Sequence, residues 1–345
     1  MMEGTAHSHP GIKQTGADNG ASEPPVDTST TPRVTVVIAA YNAETFLSET
    51  LESVLAQSLT EIEVIVVDDG STDRTPEILD AYTENRLRVL HQTNSGVSAA
   101  RNTGLAAACA PYVFFLDADD VLLPNALSRM VTVLDESPQR VACFAHHIRI
   151  KQDGAELSER ADLAWRMFPA QDTLRYLISK NFIVCGAICI RTDAARLVRG
   201  FNPSLKWGED WEFWCRLAVL GDFAAMRDDV VLLYRQHFSS ANFRLKNSPL
   251  RPNFRAIEAV YSNPAIQQRF SPGELKRRRR LAQIDAFWTG ARNAGVHGRM
   301  IEFWICLIVG ALRYPDSVLR PRLVYLFFRA LQQQIGRPDG RRASS

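Results

Sequence analysis

The stretch VTVVIAAYN, residues 34–42, is a run of β-branched and small apolar residues that ends in a tyrosine and an asparagine. A second such run, IEVIVVDD at residues 62–69, ends in two aspartates. Continuous apolarity is typical of strands that are covered on both faces, as in a parallel sheet. The residues between the runs place apolar side chains at helical spacing, at Phe46, Leu47, Leu51, Val54 and Leu55. The pattern predicts a strand, a helix and a second strand parallel to the first.

The alternation of strands and helices continues along the chain. The sequence predicts helices at 75–82, at 97–108 and from Pro124, and strands at 87–91 and 112–116. From about Arg140 it predicts mixed strands at 141–150, 182–190 and 230–234, and only helices beyond Arg251. We therefore expect an α/β fold with a mostly parallel, Rossmann-like sheet that is covered by helices, followed by a helical appendage.

Composition divides the chain into three parts. Residues 1–32 are rich in Gly, Ser, Thr and Pro and have no apolar periodicity, which predicts a disordered tail. Residues 33–245 form one expected domain with two halves, 33–125 and 126–245. Residues 246–345 form a basic helical region, since the chain from residue 244 onwards has 19 Lys and Arg against 6 Asp and Glu.

Three further features bear on location. The six cysteines include no C-x-x-C pair, which favours reduced thiols. The first residues contain no apolar stretch, so we expect no signal peptide. The longest uncharged apolar run, 303–312, is about half of the ~20 residues that a spanning helix needs. These features predict a cytoplasmic protein, either soluble or peripheral at the inner face of the membrane.

Polar side chains follow three of the predicted strands. Tyr41, Asn42 and Glu44 follow the first, Asp68 and Asp69 end the second, and the third group follows the strand at 112–116, namely Asp117, Asp119 and Asp120. In an open parallel sheet, ligands bind at the carboxyl ends of the strands. Carboxylates that meet at one edge need compensating charge, and Mg²⁺ or Mn²⁺ prefers such oxygen ligands. The sequence predicts a divalent-cation site at this edge.

The first strand is not followed by a glycine-rich phosphate loop. A dinucleotide-binding domain would carry G-x-G-x-x-G there, whereas this chain has Ala-Ala-Tyr-Asn, and no Walker lysine loop is present. Phosphate would then be neutralised by a metal and by side chains. This combination favours a protein that handles sugar nucleotides.

Four ordered blocks resemble family 2 glycosyltransferases with the GT-A fold. They are VVIAAYN (36–42), VIVVDDGSTD (64–73), SGVSAARNTGL (95–105) and YVFFLDADD (112–120). The resemblance is dense over residues 33–125 and thinner to about Ser240. It implies that residues 33–125 bind the nucleotide-sugar donor and that residues 126–245 meet the acceptor.

The resemblance also implies roles for single residues. Ala40 and Tyr41 match the block that holds the nucleobase, with the tyrosine as a stacking wall. Asp69 matches an acid that accepts a hydrogen bond from the imide of the base, a preference for uracil or a similar ring. Arg101 matches an arginine that contacts the nucleotide. Glu44 either contributes to this rim or caps the helix that begins there.

The D-x-D triplet supplies the acids that the family places at the metal. Asp117 matches the first acid, near the ribose and the metal, and Asp119 matches the principal metal ligand. Asp120 is expected to lie behind them. The block YRQHFSS (234–240) resembles the end of the family's catalytic domain, where a histidine reaches the metal or the diphosphate. His237 is therefore a second candidate metal ligand, with a surface histidine as the alternative.

The block KWGEDWEFW (206–214) resembles the family's Glu-Asp motif. Asp210 would be the general base that takes the proton from the acceptor hydroxyl, in a direct displacement that inverts the anomeric configuration. Trp207, Trp211 and Trp214 would lower the local dielectric, raise the pKa of Asp210 and offer faces to sugar rings.

These observations predict an inverting, metal-dependent glycosyltransferase that uses a nucleotide sugar, with a UDP-sugar favoured, and a glycan or lipid-linked acceptor in cell-surface polysaccharide or glycolipid synthesis. Two alternatives are a sugar nucleotidyltransferase and a non-catalytic sugar-binding protein with a decayed site. No nucleic-acid module accompanies the basic region. Its helices either pack on the catalytic domain or contact an anionic membrane through residues 276–280.

Overall fold

The computed structural model describes residues 31–157, 171–237, 254–296 and 299–315. The expected tail at 1–32 lies almost wholly outside the described residues, as do residues 246–253 and 316–345 of the expected basic region. The domain boundaries proposed from composition therefore stay predictions.

The centre of the molecule is one eight-stranded sheet in the order β3-β2-β1-β4-β7-β6-β8-β5. Its strands are β1 (Val34–Ala40), β2 (Ile62–Asp68), β3 (Leu87–His91), β4 (Tyr112–Asp117), β5 (Val121–Leu122), β6 (Ala142–Lys151), β7 (Ile188–Arg191) and β8 (Phe223–Gln236). The first four strands in chain order run parallel, β7 runs antiparallel to both β4 and β6, and β6 pairs parallel with β8. The expected α/β fold with a covered, mostly parallel sheet is confirmed.

Helices cover both faces of the sheet. Those of the first half are α1 (Leu47–Leu55), α2 (Thr75–Asp80), α3 (Val97–Ala107) and α4 (Ala126–Asp135). Those of the second half are α5 (Thr173–Leu177), α6 (Thr192–Leu197) and α7 (Glu209–Leu220). The helical region contains α8 (Phe254–Ser262), α9 (Pro264–Gln267), α10 (Pro272–Val296) and α11 (Met300–Arg313).

One expected strand is mostly wrong. The apolar residues 182–190 predict a single strand, but only β7 at their end is extended, and a 3-10 turn at Cys185–Ala187 precedes it. Gly186 lets this turn lie close to β8, because a Cβ on it would lie 2.9 Å from the side chain of Leu232. A turn that packs against β8 therefore lies where the sequence predicts the first part of a strand.

The helical region shares a core with the second half of the sheet. Ile257, Val260 and Tyr261 of α8 are buried in the same cluster as Trp211 and Phe213 of α7. The hydroxyl of Tyr261 donates a hydrogen bond to the carbonyl of Ile178 at 2.6 Å. This packing fixes α7, which carries the Glu-Asp motif, between the sheet and α8.

Packing between α3 and β1 places the helix that carries Arg101. A Cβ on Gly104 would lie 2.2 Å from a methyl group of Val37, so only glycine allows α3 to sit this close to the strand. Ala100 and Arg101 on the same helix are buried as a result. The guanidinium of Arg101 therefore projects toward the edge of the sheet rather than into solvent.

Candidate active site

The carboxyl ends of three neighbouring strands bring an aromatic residue and two groups of acidic residues to one edge of the sheet. In the register of the sheet, Ala40 at the end of β1 lies opposite Asp68 of β2, and Ala39 lies opposite Asp117 of β4. Tyr41 follows β1 directly, and 46% of its surface is exposed. A half-exposed ring at this edge is available to a flat ligand.

Asp69 anchors the loop that precedes α3. One of its carboxylate oxygens accepts hydrogen bonds from Gln92 Nε2 and from the backbone N of Ser95, both at 2.8 Å. The other accepts from the backbone N of Gly96 at 2.8 Å, and the backbone N of Asp69 donates to the carbonyl of Ala40. These three bonds occupy most of the roughly four acceptor positions of a carboxylate. Asp69 is also only 3% exposed, so its contact with the imide of a base stays a prediction.

Glu44 lies beside the start of α2. Its carboxylate accepts from the backbone N of Arg74 at 3.1 Å, and its own backbone N donates to Asp73 at 3.1 Å. These contacts are of the helix-capping kind, made at α2 rather than at α1, and a contribution of Glu44 to the donor site stays a prediction.

The D-x-D acids form a compact cluster. Oxygens of Asp117, Asp119 and Asp120 all lie within 4.8 Å of one another. The side chains of Asp117 and Asp119 are 33% and 28% exposed, whereas Asp120 is buried. Burial, together with the charges of Asp119 and Asp117, raises the pKa of Asp120 well above its ordinary value. The two partly exposed acids face solvent, and Asp120 lies behind them.

His237 contacts the same cluster. Its Nε2 lies 2.7 Å from Oδ2 of Asp119, and its ring packs on Phe46 with centroids 4.8 Å apart. A histidine paired with a carboxylate in this way is oriented by it. The structure thus brings together the two residues that the sequence predicts as metal ligands.

The donor set fits a divalent cation. Mg²⁺ and Mn²⁺ take oxygen ligands, and Asp117 and Asp119 present theirs at the rim. In addition, Oδ2 of the buried Asp120 has no hydrogen-bond partner among the described residues. A buried acceptor without a donor is costly unless a cation or a proton compensates it. The residues that would hold the ion are Asp119, Asp117 and His237.

Arg235 holds the D-x-D loop in place, a role that the sequence did not predict. Its backbone N donates to Asp120 Oδ1 at 2.8 Å and its Nε to the carbonyl of Asp119 at 2.9 Å. Its Nη2 lies 2.6 Å from Glu49, and its guanidinium stacks on Phe46 at 4.7 Å. The signal in the sequence was weak, because an arginine two positions before the candidate histidine could equally have been a surface residue.

Arg101 joins the D-x-D triplet to the Glu-Asp motif. Its Nη2 donates to Asp117 Oδ1 at 2.5 Å, and its Nη1 donates to Glu209 Oε1 at 3.1 Å. The arginine is 4% exposed and stacks on the ring of Phe201 at 5.1 Å. Burial lowers the pKa of Arg101, but the carboxylates of Asp117 and Glu209 outweigh it and hold that pKa well above the ordinary value. The positively charged form is therefore fixed between two acids.

The Glu-Asp motif begins α7. Gly208 precedes the helix with φ of 68°, a left-handed conformation that glycine adopts without strain. Asp210 Oδ1 accepts from the backbone N of Trp211 at 2.6 Å, and Oδ2 accepts from Asn181 Nδ2 at 3.1 Å. Burial raises the pKa of Asp210 against these hydrogen bonds and against the charge of Arg101. No sequence pattern marks Asn181, because it lies 29 positions before Asp210 and meets it only in the folded protein.

Glu209 is a second acid of this motif that the sequence analysis did not assign. Its side chain is 13% exposed and contacts Arg101. Burial and the charge of Asp210 raise its pKa to about 7, and Arg101 opposes the shift. Glu209 and Asp210 therefore lie side by side, largely shielded from water, and the charge of Arg101 acts on both.

Two of the three tryptophans cannot stack on a sugar, contrary to the expectation. Trp214 is fully buried, and Trp211 is 7% exposed with its Nε1 donating to the carbonyl of Leu177 at 2.6 Å. They fill the core beneath the motif, where they exclude water from Asp210. Trp207 is partly exposed and is the remaining candidate for a sugar contact.

Comparison with known proteins identifies the domain that carries this site. Residues 35–197 match the family described as Glycosyl transferase family 2. Residues 35–197 belong to glycosyl transferase family 2. This glycosyltransferase domain contains Asp69, Arg101 and the D-x-D triplet, and the matched region ends before Asp210 and His237.

The glycosyltransferase domain is similar to parts of two curated relatives. The chain is 40% identical over 108 residues to the uncharacterized glycosyltransferase EpsJ of Bacillus subtilis, covering 31% of each chain. It is 26% identical over 246 residues to the chondroitin synthase of Escherichia coli, covering 70% of this chain and 34% of that one. The chain thus spans about a third of the length of these curated relatives.

The fold of the glycosyltransferase domain and its helical region has a counterpart in TarS of S. aureus. The crystal structure of TarS residues 1–349 in complex with UDP-GlcNAc superposes with a TM-score of 0.61, at 20% identity, over 87% of this chain and 88% of that one. At this identity the similarity establishes the fold, which is of the GT-A type expected from the sequence.

Proposed function

We propose that this protein is an inverting glycosyltransferase that moves a sugar from a nucleotide-sugar donor to a hydroxyl of an acceptor. The observation that carries the proposal is the Arg101 bridge, because it places Asp117 of the D-x-D triplet and Glu209 of the Glu-Asp motif on one cation. Donor phosphate chemistry and proton removal from an acceptor require these two groups of residues to be close together.

The donor would lie across the ends of β1, β2 and β4. Tyr41 would stack on the base, and Asp69, beside the loop that it anchors, would accept from the imide of a uracil. Arg101 would lie near the diphosphate side of the same rim. The TarS crystal structure of the same fold holds UDP-GlcNAc, which makes UDP-sugars the first donors to test.

A divalent cation, Mn²⁺ or Mg²⁺, would be held by Asp119, Asp117 and His237, and when bound it supplies positive charge to the departing diphosphate. Arg235 contributes by fixing the carbonyl of Asp119 and the carboxylate of Asp120, so that the rim acids keep their positions. Asp120 stays behind the rim and accepts from the backbone of Arg235.

Asp210 would remove the proton of the acceptor hydroxyl. Asn181 and the backbone of Trp211 orient its two oxygens, and the buried indoles of Trp211 and Trp214 keep the surrounding region dry. A carboxylate with a raised pKa is a stronger base than a free one, which suits proton transfer from an alcohol. Attack from the face opposite the nucleotide would invert the anomeric centre.

The acceptor class is proposed from the relatives. Chondroitin synthase, by its name, makes a polysaccharide, and this chain covers about a third of it. We infer a glycan or lipid-linked acceptor in cell-surface polysaccharide or glycolipid synthesis, reached from the cytoplasmic side. Among the described residues, no helix is long and apolar enough to span a membrane.

The test is a screen of nucleotide sugars for metal-dependent release of the nucleotide. We expect release with a UDP-sugar and Mn²⁺ or Mg²⁺, and its loss in both Asp119→Ala and Asp210→Asn. Release from no nucleotide sugar, with binding of sugars retained, would instead identify a non-catalytic sugar-binding protein. Formation of a sugar nucleotide from a sugar phosphate and a nucleoside triphosphate would identify a nucleotidyltransferase.

A further inference from the structure

Helix α11 exposes a continuous aliphatic stripe on a face that no chemistry of the proposed active site uses. The stripe consists of Ile301, Ile305, Ile308 and Leu312, whose exposed fractions are 78%, 39%, 62% and 80%. Their spacing of four, three and four residues places them on one side of the helix. Single exposed apolar residues are ordinary on a protein surface, whereas an aligned row of four on one helix face needs an explanation.

The opposite face of α11 is fixed, so the helix cannot rotate to bury the stripe. Phe303, Cys306 and Gly310 are buried, and Cys306 belongs to a core cluster with Phe287 and Trp288 of α10. A Cβ on Gly310 would lie 2.6 Å from the indole of Trp288, which shows how closely the two helices approach. The outward direction of the stripe is therefore a property of the folded helix pair.

A cluster of cations lies at the Leu312 end of the stripe. The guanidinium groups of Arg280 and Arg313 stack on the ring of Tyr314 at 5.8 and 5.7 Å. Lys276 and Arg277 are exposed one turn earlier on α10. An aliphatic row thus ends beside concentrated positive charge.

Two members of the basic run that the sequence assigned to a membrane contact have structural roles instead. Arg278 is buried, pairs with Glu274 at 2.9 Å and donates to the carbonyl of Arg175. Arg279 pairs with Glu258. The cations of this run that face outward are Lys276, Arg277 and Arg280.

We propose that the stripe of α11 and the outward cations beside it form a docking surface for an anionic lipid bilayer, with α11 lying in the plane of the interface. Aliphatic side chains would enter the boundary between headgroups and acyl chains, while the cations meet anionic headgroups. Trp304, partly exposed on the flank of the stripe, suits the same depth, where indoles are enriched.

The dimensions of the stripe favour this occupant over a second copy of the chain. A stable dimer buries about 800 Å² on each partner, with an apolar centre several residues wide. The stripe is one residue wide on a helix of 14 residues. A bilayer surface needs no matching pocket, so a narrow aliphatic row with cations at one end is sufficient.

The test uses the full chain in co-sedimentation with vesicles, of phosphatidylcholine alone and of phosphatidylcholine mixed with phosphatidylglycerol. We expect binding to the mixed vesicles at least tenfold above binding to the neutral ones, weakening as salt rises. The triple variant Ile301→Ser, Ile308→Ser, Leu312→Ser should bind the mixed vesicles at least tenfold more weakly than the parent protein. The control variant is Leu197→Ser, at a residue of α6 that is 72% exposed. This variant should bind the vesicles as the parent protein does.

A second variant separates charge from apolar contact. Lys276→Gln, Arg277→Gln, Arg280→Gln should abolish the preference for anionic vesicles, whereas Arg74→Gln, Lys151→Gln, Lys206→Gln, an equal loss of exposed cations elsewhere, should not. Equal binding to both vesicles, binding to neither, or full binding by the stripe variant would overturn the proposal. So would light scattering that shows a dimer broken by the stripe variant, because the stripe would then join two copies.

Lipid docking does not depend on the proposed sugar transfer. The stripe variant should keep metal-dependent nucleotide release in solution, since none of its residues lies at the active site. Asp210→Asn should lose nucleotide release but still bind vesicles. The stripe variant should lose vesicle binding but keep nucleotide release. These opposite results would show that the two properties are separate.

Discussion

The guanidinium of Arg101 lies 3.1 Å from the carboxylate of Glu209, although 108 positions separate the two residues in the sequence. The same guanidinium holds Asp117 at 2.5 Å. Arg101 is thus the physical link between the strand rim, which the family shares, and the Glu-Asp motif on α7, which lies beyond the matched region.

Replacement of Arg101 by Met should destabilise the protein by about 3–5 kcal/mol, because it leaves two acids at a partly dehydrated edge without their cation. Arg101→Lys should retain the charge but not both hydrogen bonds. Its stability should therefore lie between that of the parent protein and that of Arg101→Met. Chemical denaturation measures both. The double variant Arg101→Met, Glu209→Gln should recover part of the loss, and additive effects of the two changes would contradict the bridge.

Asp119→Ala should abolish metal-dependent nucleotide binding and turnover while leaving the melting temperature nearly unchanged, because Asp119 is a rim residue and not part of the core. Titration of Mn²⁺ with and without nucleotide, after chelation, measures the effect. Asp80→Ala, at an exposed aspartate on α2, is the control and should behave as the parent protein. Near-normal activity of the Asp119 variant with added metal would show that another residue is the principal ligand.

Asp210→Asn should lower kcat by roughly 10²–10⁴, the usual contribution of a general base, and leave the donor KM nearly unchanged. Because burial raises the pKa of Asp210, the base loses its proton only at a pH above the ordinary aspartate range. The parent's kcat should therefore rise with pH through that raised pKa, and the variant should lose this limb. Weakened donor binding with an unchanged rate constant would make Asp210 a binding residue.

Glu209 should make stability depend on pH. Its folded pKa of about 7 exceeds the ordinary value of 4.5, so the folded state binds the proton more tightly than the unfolded state. The resulting contribution to the free energy of unfolding, at most about 3 kcal/mol, is complete below pH 4.5 and is lost as the pH rises to about 7. Glu209→Gln should flatten the stability profile in this window. An equally steep profile in denaturation at several pH values would disprove the assignment.

Deletion of residues 1–32 should leave the melting temperature and the activity unchanged, since this segment has no apolar periodicity to contribute to a core. The deletion must stop before Arg33, whose side chain pairs with Asp135 and whose backbone N donates to Glu61. Thermal unfolding of the shortened protein is the measurement. A decrease of several degrees would show that the segment docks on the domain.

The first half of the fold could be predicted well from sequence because its signals are local. The strands β1, β2, β3 and β4 are short apolar runs, each followed by turn or capping residues, and their bounds match the expectation closely. The segment at 182–190 has the same apolar composition but only a short strand, preceded by a turn that packs closely on Leu232 of β8 through Gly186. Local composition carries no information about such a contact.

The sequence by itself determined the fold class, the position of the acids at the strand ends and the family, because each depends on periodicity or on ordered local blocks. Only the tertiary structure decided which side chains meet: Arg101 with Glu209, Arg235 with the D-x-D loop, and Asn181 with Asp210. It also decided that Trp211 and Trp214 are core residues and that Arg278 is buried, while Leu312 is exposed. The physical reason is that burial and pairing are set by the elements that pack around a residue, and those elements come from distant parts of the chain.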